Sequence, residues 1–184
     1  MKIAITGHTK GIGKALSEVF GQDHEIIGFS RSNGYDITKQ EIVDKIIHEI
    51  KDCDVFINNA YAPDNQTQLL IKSVFQWEKQ DKVVINISSM WCYYDHPHEF
   101  IQQYRKEKIH QNNFVKEKIQ AAMFAPKIMN VLPGFVDTDM VKDVVAKSKI
   151  NTTDLANIIK DLFEMRDKMF VREIVIDTPI FPYG

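Results

Sequence analysis

Six short apolar runs punctuate the chain: KIAIT, HEIIGFS, DVFIN, KVVINIS, KIMNVLP and VREIVID. Most are close to continuous in Val, Ile and Leu, as expected of strands covered on both faces. Between them, residues 11–21, 39–50, about 66–79, about 98–124 and about 139–163 carry apolar positions at three- and four-residue spacing, which predicts helices. This alternation predicts an α/β fold: a doubly wound parallel sheet of about six strands with helices on both faces. One interval limits the topology. Only NGYDIT separates FSRS from the helix beginning at Lys39, and a parallel crossover consumes about a dozen residues. No additional strand fits there, so Asn33 to Thr38 is expected to lie as a loop over the strand ends.

Composition changes this picture little. The 184 residues are 44% apolar and 26% charged, enough for one domain over 1–184 with a real core. A formal net charge of -2 gives no electrostatic footprint for nucleic acid or an anionic membrane. Cys53 and Cys92 form neither a disulfide framework nor a metal-type spacing, which fits a reducing cytoplasm. No apolar run approaches the roughly 20 residues that span a bilayer, and a strand begins at once without a leader. A soluble, unprocessed cytoplasmic protein is expected.

The stretch TGHTKGIGK carries the first chemistry. Glycines let a backbone turn sharply and approach a ligand, and the helix that follows points unpaired N–H groups at an anion. The candidate cradle is therefore Gly7, Thr9, Lys10, Gly11, Ile12 and Gly13. A mononucleotide P-loop requires G-x-x-x-x-G-K-[ST], whereas here five residues separate Gly7 from Gly13 and Ala15 stands where the hydroxyl belongs. The spacing G-x-x-x-G-x-G also differs from the common dinucleotide fingerprint, so the loop alone leaves both nucleotides open. The second strand discriminates. It ends in Ser30, Arg31 and Ser32 with no acid before Asp36, and a guanidinium flanked by hydroxyls suits a 2'-phosphate rather than a free ribose. Lys10 adds a second cation, which favours NADP(H) over NAD(H).

With TGHTKGIG, NNA, NISS, YRKEK and PGFVDTDM in this order, the sequence resembles the short-chain dehydrogenase/reductase family over nearly its whole length, from Ile3 to about Asp177. The resemblance implies a single Rossmann domain, a nicotinamide cofactor and hydride transfer to or from an alcohol or carbonyl. It implies that Ser89 hydrogen-bonds the substrate oxygen and that Tyr104 and Lys108 form the family's Y-x-x-x-K pair. Asn59 and Ala60 match backbone along the adenosine half, and Asp36 and Ile37 a pair that contacts adenine. Pro133, Gly134, Val136 and Thr138 resemble the segment that closes over the nicotinamide. The chemistry stands without the family. Reduction of a carbonyl needs a proton donor near its oxygen, and an ammonium one helical turn from a tyrosine favours the phenolate. Residues i and i+4 share a helix face, so Tyr104 and Lys108 can present both groups to one cleft. Y-x-x-x-K is common, however, and Tyr35 to Lys39 is a second copy in a place unsuited to hydride transfer.

The chain departs from the family pattern in several places. Tyr61 replaces the glycine of NNAG. His96 and His98 flank a proline in the aromatic-rich interval between Ser89 and Tyr104, where a solvated loop is favoured over a metal site. For the asparagine of the catalytic set, Asn65 is the candidate by distance, with a helix N-cap as the equal alternative. The lid after DTDM is short, and the helices bearing LLIKSVFQW and YRKEKIHQNNFVKEK are those through which family members pair, so a homodimer or homotetramer is expected. The reading is an NADP(H)-dependent reductase of a small carbonyl or alcohol, with Tyr104 as acid, Lys108 lowering its pKa and holding the ribose, and Ser89 orienting the substrate. Its rivals are a degenerate NADP(H)-binding or sensor protein and a phosphotransferase that uses the glycine loop for ATP.

Overall fold

A computed structural model describes residues 1–95, 99–121 and 126–178. Six strands, β1 (Lys2–Thr6), β2 (Glu25–Phe29), β3 (Val55–Asn58), β4 (Val83–Ile87), β5 (Lys127–Pro133) and β6 (Glu173–Ile176), form one sheet in the order β2-β1-β3-β4-β5-β6. Every pairing is parallel. The helices are α1 (Gly11–Phe20), α2 (Gln40–Glu49), α3 (Asn65–Gln76), α4 (Glu99–Gln120) and α5 (Thr152–Glu164). No strand falls in the short NGYDIT interval; β2 is an edge, and the chain returns from it through α2 to β3 on the far side of β1. The direction of strand succession therefore reverses between β1 and β3, the place where open α/β sheets bind ligands.

Side chains alternate across the strands and divide the core into two layers. Ile3, Ile5, Ile57 and Ile85 meet Leu16 and Phe20 of α1 and Leu155, Ile159 and Phe163 of α5. Ala4, Phe56, Val84 and Ile128 meet Val43 and Ile46 of α2, Leu69 and Leu70 of α3, Val115 of α4 and Trp77. Each fully buried large side chain of this kind stabilises the fold by roughly 1.5–3 kcal/mol relative to exposure. The second layer also holds polar groups. Asn58, Asn86 and Asn130 stand side by side on three adjacent strands, all fully buried.

One boundary is corrected. The helix expected from about residue 139 begins at Thr152, where the Asn151 side chain accepts from the N–H groups of Thr153 and Asp154 and so fixes the start. The chain before it forms a 3-10 turn, Asp139–Val141, and closes a loop through a bridge between Val136 and Ile150.

Candidate active site

The crevice between β1 and β3 is built around glycine. Gly7 has φ +71°, a left-handed conformation that L side chains rarely adopt, and it donates to Phe29 O at 2.7 Å. A Cβ on Gly13 would lie 2.2 Å from Gly7 O and 2.6 Å from Asn59 Nδ2, so only hydrogen fits there. The Asn59 side chain donates to Thr6 O at 2.9 Å, and the N–H groups of Asn59 and Ala60 donate to Thr6 Oγ1, each at 3.0 Å. Asn59 thus braces the ends of β1 and β3 rather than offering its amide to a ligand. No side chain caps α1, whose N-cap Lys10 has extended backbone, so its first-turn N–H groups remain available to an anion.

Beside this loop lies a cavity of about 410 Å³ that gathers Gly7, Thr9 and Lys10, the Ser30–Arg31–Ser32 turn, Asp36 and Ile37, and Ala60 and Tyr61. The turn after β2 is locally built. Ser30 N donates to Asn33 Oδ1 at 2.8 Å, the hydroxyls of Ser30 and Ser32 are 2.7 Å apart, and Gly34 at φ +90° ends the turn. Arg31 is exposed and close enough to Asp36 to lower its pKa slightly; the main cause of that lowering is the pair of hydrogen bonds from Thr38. Lys10 is exposed and forms a 3.7 Å ion pair with Asp139. Tyr35, of the second Y-x-x-x-K copy, packs edge-on against Phe29, and its hydroxyl donates to Glu49.

Beyond Tyr61, along the carboxyl edge of the sheet, Ser89, Tyr104 and Lys108 come together. Ser89 follows β4, is buried, and hydrogen-bonds the Tyr104 hydroxyl. Lys108 lies one turn along α4, only 2% exposed, with Nζ 5.3 Å from the Tyr104 ring centre. Burial pushes the Tyr104 phenol up to about 12, against a lowering contribution from the Ser89 hydrogen bond. Burial brings Lys108 down to about 7, opposed by the charge of Glu107. This corrects one expectation: the ammonium faces the tyrosine ring rather than its hydroxyl, and the group that lowers the phenol is Ser89. Tyr61 fills the space that a glycine would leave. Its ring stacks edge-on against Tyr104 at 4.9 Å, with Lys108 Nζ 5.7 Å from its centre. Its hydroxyl donates to the buried Glu107 at 3.5 Å, and its own pKa rises to about 12, chiefly through burial.

Asn65 is not brought to this cluster. It opens α3 and donates to Ile37 O at 2.8 Å, tying the helix to the loop after β2. The side chain that meets Lys108 is the next residue, Gln66, fully buried, whose Oε1 accepts from Nζ at 2.7 Å; Ile87 O accepts at 3.1 Å. A signal for Gln66 was present. It shares the helical stripe of Leu69, Leu70 and Ser73, so spacing alone aims it into the core. Of the segment after β5, Gly134 N donates to Ile176 O at 2.8 Å and Val136 is buried. Thr138 abuts the glycine loop, its Cγ2 lying 3.1 Å from where a Cβ on Gly11 would sit. Pro133 ends β5. His96 and His98 lie outside the described residues, and no metal-type cluster occurs among those described. No helix among them is long and apolar enough to cross a membrane.

No protein-family model and no curated protein sequence matches the chain. Solved structures do. A 3-alpha-hydroxysteroid dehydrogenase from Pseudomonas sp. B-0831, complexed with NADH, superposes with a TM-score of 0.79 at 16% identity, covering 97% of this chain and 95% of that one. A short chain dehydrogenase from Burkholderia cenocepacia J2315, in complex with NADP, gives 0.77 at 18% identity over 96% and 88%. A 4-hydroxyisoleucine dehydrogenase complexed with NADH gives 0.76 at 15% identity, over 96% of both chains. Sheet order, glycine crevice and these superpositions agree: the chain has the Rossmann-like fold of the short-chain dehydrogenases.

Proposed function

We propose that this protein is an NADP(H)-dependent oxidoreductase that moves hydride between the nicotinamide cofactor and a small carbonyl or alcohol. The carrying observation is the convergence of Ser89, Tyr104 and Lys108 behind Tyr61, a residue that also lines the cavity at the glycine cradle. The residues fit a dinucleotide: a Gly13 that excludes any Cβ, an uncapped helix start, and a cavity whose rim carries Arg31, Ser30 and Ser32. Those three and Lys10 would hold the 2'-phosphate, Gly7 to Gly13 the pyrophosphate, Asp36 and Ile37 the adenine, and Gly134 to Thr138 the nicotinamide end. When bound, the cofactor supplies or accepts the hydride.

The protein's own residues supply the proton. Ser89 positions the substrate oxygen beside Tyr104, whose O–H donates to that oxygen as carbon receives hydride, giving the alcohol; oxidation is the reverse. A phenol held high favours the proton-bearing form that reduction consumes. Lys108 supplies positive charge beneath the tyrosine ring. The outer surface of α3 and α4, where Phe75 remains 52% exposed, is the face through which two copies would pair.

One observation favours a second reading. Lys108 is buried with its Nζ against the rings of Tyr61 and Tyr104, and a lysine so withdrawn fits a protein that binds NADP(H) without turning it over. Fluorescence titration with NADPH and NADH, repeated in Arg31→Ala, and a carbonyl screen with Tyr104→Phe as control separate the readings. NADPH-selective binding with Tyr104-dependent oxidation supports the enzyme, whereas selective binding without oxidation supports the sensor. Absence of binding to either nucleotide sinks both.

A further inference from the structure

Lys108 is a desolvated ammonium that forms no ion pair among the described residues. Such a group holds its position through hydrogen bonds, and the strongest one here comes from a neutral amide, Gln66 Oε1 at 2.7 Å. The orientation of that amide is forced. Gln66 Nε2 donates to Ile87 O at 3.1 Å and to Asn58 O at 3.3 Å, which leaves its oxygen for Lys108 and for Gln111 Nε2 at 3.4 Å. Gln111 Oε1 in turn accepts from Asn86 Nδ2 at 3.4 Å, Asn86 Nδ2 donates to Asn130 Oδ1 at 2.9 Å, and Asn130 Nδ2 donates to Glu173 Oε2 at 3.3 Å. A carboxylate can only accept and an ammonium can only donate, so the two ends dictate which way every amide between them faces.

We propose that Gln66 is the positioning residue of the Lys108 ammonium, locked in that role by a buried amide chain running through Gln111, Asn86 and Asn130 to Glu173. Gln66 and Gln111 are fully buried, so neither amide can turn to water if its partner is lost. The catalytic meaning of this device rests on the oxidoreductase reading, but its existence does not. The charged and titratable groups that face Lys108 are Tyr104 and Glu107 from α4 and Tyr61 from the loop after β3; Asp64 in that loop donates its N–H to Glu107. From α3 and β4 only neutral groups reach it, Gln66 and the Ile87 carbonyl.

The test is an NMR titration of the full chain labelled with ¹³C-lysine, following the Lys108 Cε resonance, assigned through Lys108→Arg, with neither cofactor nor substrate present. Gln66→Glu puts a charge where the neutral oxygen was, and the titration midpoint is expected to rise by about one pH unit or more. Gln66→Met removes the acceptor, and the midpoint is expected to fall by roughly half a unit or more. Opposite shifts from two changes at one buried position are not what a residue of purely structural value produces. Gln111→Met, one link further back, is expected to lower the midpoint by less, and decides the matter if the Gln66 variants do not fold. A midpoint that stays put in every variant that folds overturns the proposal. Turnover is measured separately: NADPH oxidation with an unmoved midpoint removes the role of Gln66 and leaves the enzyme reading. Shifted midpoints without oxidation of NADPH by any carbonyl do the reverse.

Discussion

The two ends of the crevice handle charge in opposite ways. At the glycine end, Arg31 stands in solvent on a turn braced by short local hydrogen bonds, Lys10 stands in solvent at the start of α1, and the Lys10–Asp139 pair has both side chains 83% exposed. At the other end, Lys108, Glu107 and Ser89 are all buried, and desolvation dominates the titration of Lys108 and Tyr104. Exposed cations suit recognition: they cost little while unliganded and gain when a phosphate displaces water. Buried groups suit chemistry, because their protonation is set by a few neighbours that do not rearrange. On the proposed reading, the fold separates cofactor recognition from proton transfer by depth.

The largest effect should come from the buried end. Tyr104→Phe removes the proposed proton donor while keeping the ring that packs on Tyr61, and should lower kcat by about 10²–10⁴-fold with NADPH affinity nearly unchanged. Steady-state kinetics beside a binding titration checks this; equal losses in both would collapse the division between the two ends. At the exposed end, Arg31→Ala should weaken NADPH binding by roughly 10–100-fold, the range of a charge-assisted contact to phosphate, and leave NADH binding near wild type. Uniform weakening of both nucleotides would show that Arg31 does not read the 2'-phosphate.

Burial of Lys108 also has a stability signature. Its folded-state pKa of about 7 lies below the unfolded value, so the folded protein releases a proton that the unfolded chain keeps. The cost of the buried charge is present in full below pH 7 and is relieved as pH rises towards the unfolded value. Relative to Lys108→Met, the wild type should gain about 2 kcal/mol between pH 7 and pH 9, read from urea midpoints. A flat difference would mean that Lys108 is better solvated than its surroundings indicate.

The parallel sheet of six strands was legible because it rests on local pattern. Apolar runs gave the strands, the shortness of NGYDIT excluded a further strand, and i, i+4 spacing allowed Tyr104 and Lys108, singled out by the family resemblance, to share a helix face. What eluded the sequence depends on rotamers and on contacts distant along the chain. Asn65 and Gln66 are neighbours on α3, and which of them meets Lys108 is settled by the rotation of that helix over β4. That the ammonium faces the Tyr104 ring, and the hydroxyl faces Ser89, is likewise a matter of side-chain direction. Met140, Val141, Val144 and Val145 mimic a helical stripe ahead of the true start of α5, which Asn151 caps.

The smallest expected effect joins the two ends. Asp139 lies in the short turn after Thr138, so its ion pair with Lys10 links the lid segment to the glycine loop. Both partners are exposed, and such pairs contribute about 0–1 kcal/mol, so Asp139→Asn should leave the unfolding midpoint almost unmoved. Its effect belongs to binding. With Asp139 neutral, Lys10 is free to face a phosphate and one nearby negative charge is gone, so NADPH affinity should rise a few-fold at low ionic strength. Screening over a Debye length of about 10 Å at 0.1 M salt should erase most of that gain as salt is raised. The informative quantity is the slope of log Kd against log salt for the two proteins. A steeper slope in Asp139→Asn places Lys10 on the phosphate. An unchanged slope with weaker binding would instead assign Asp139 to holding the lid in place, and would move Lys10 from the recognition end of the comparison to the scaffold.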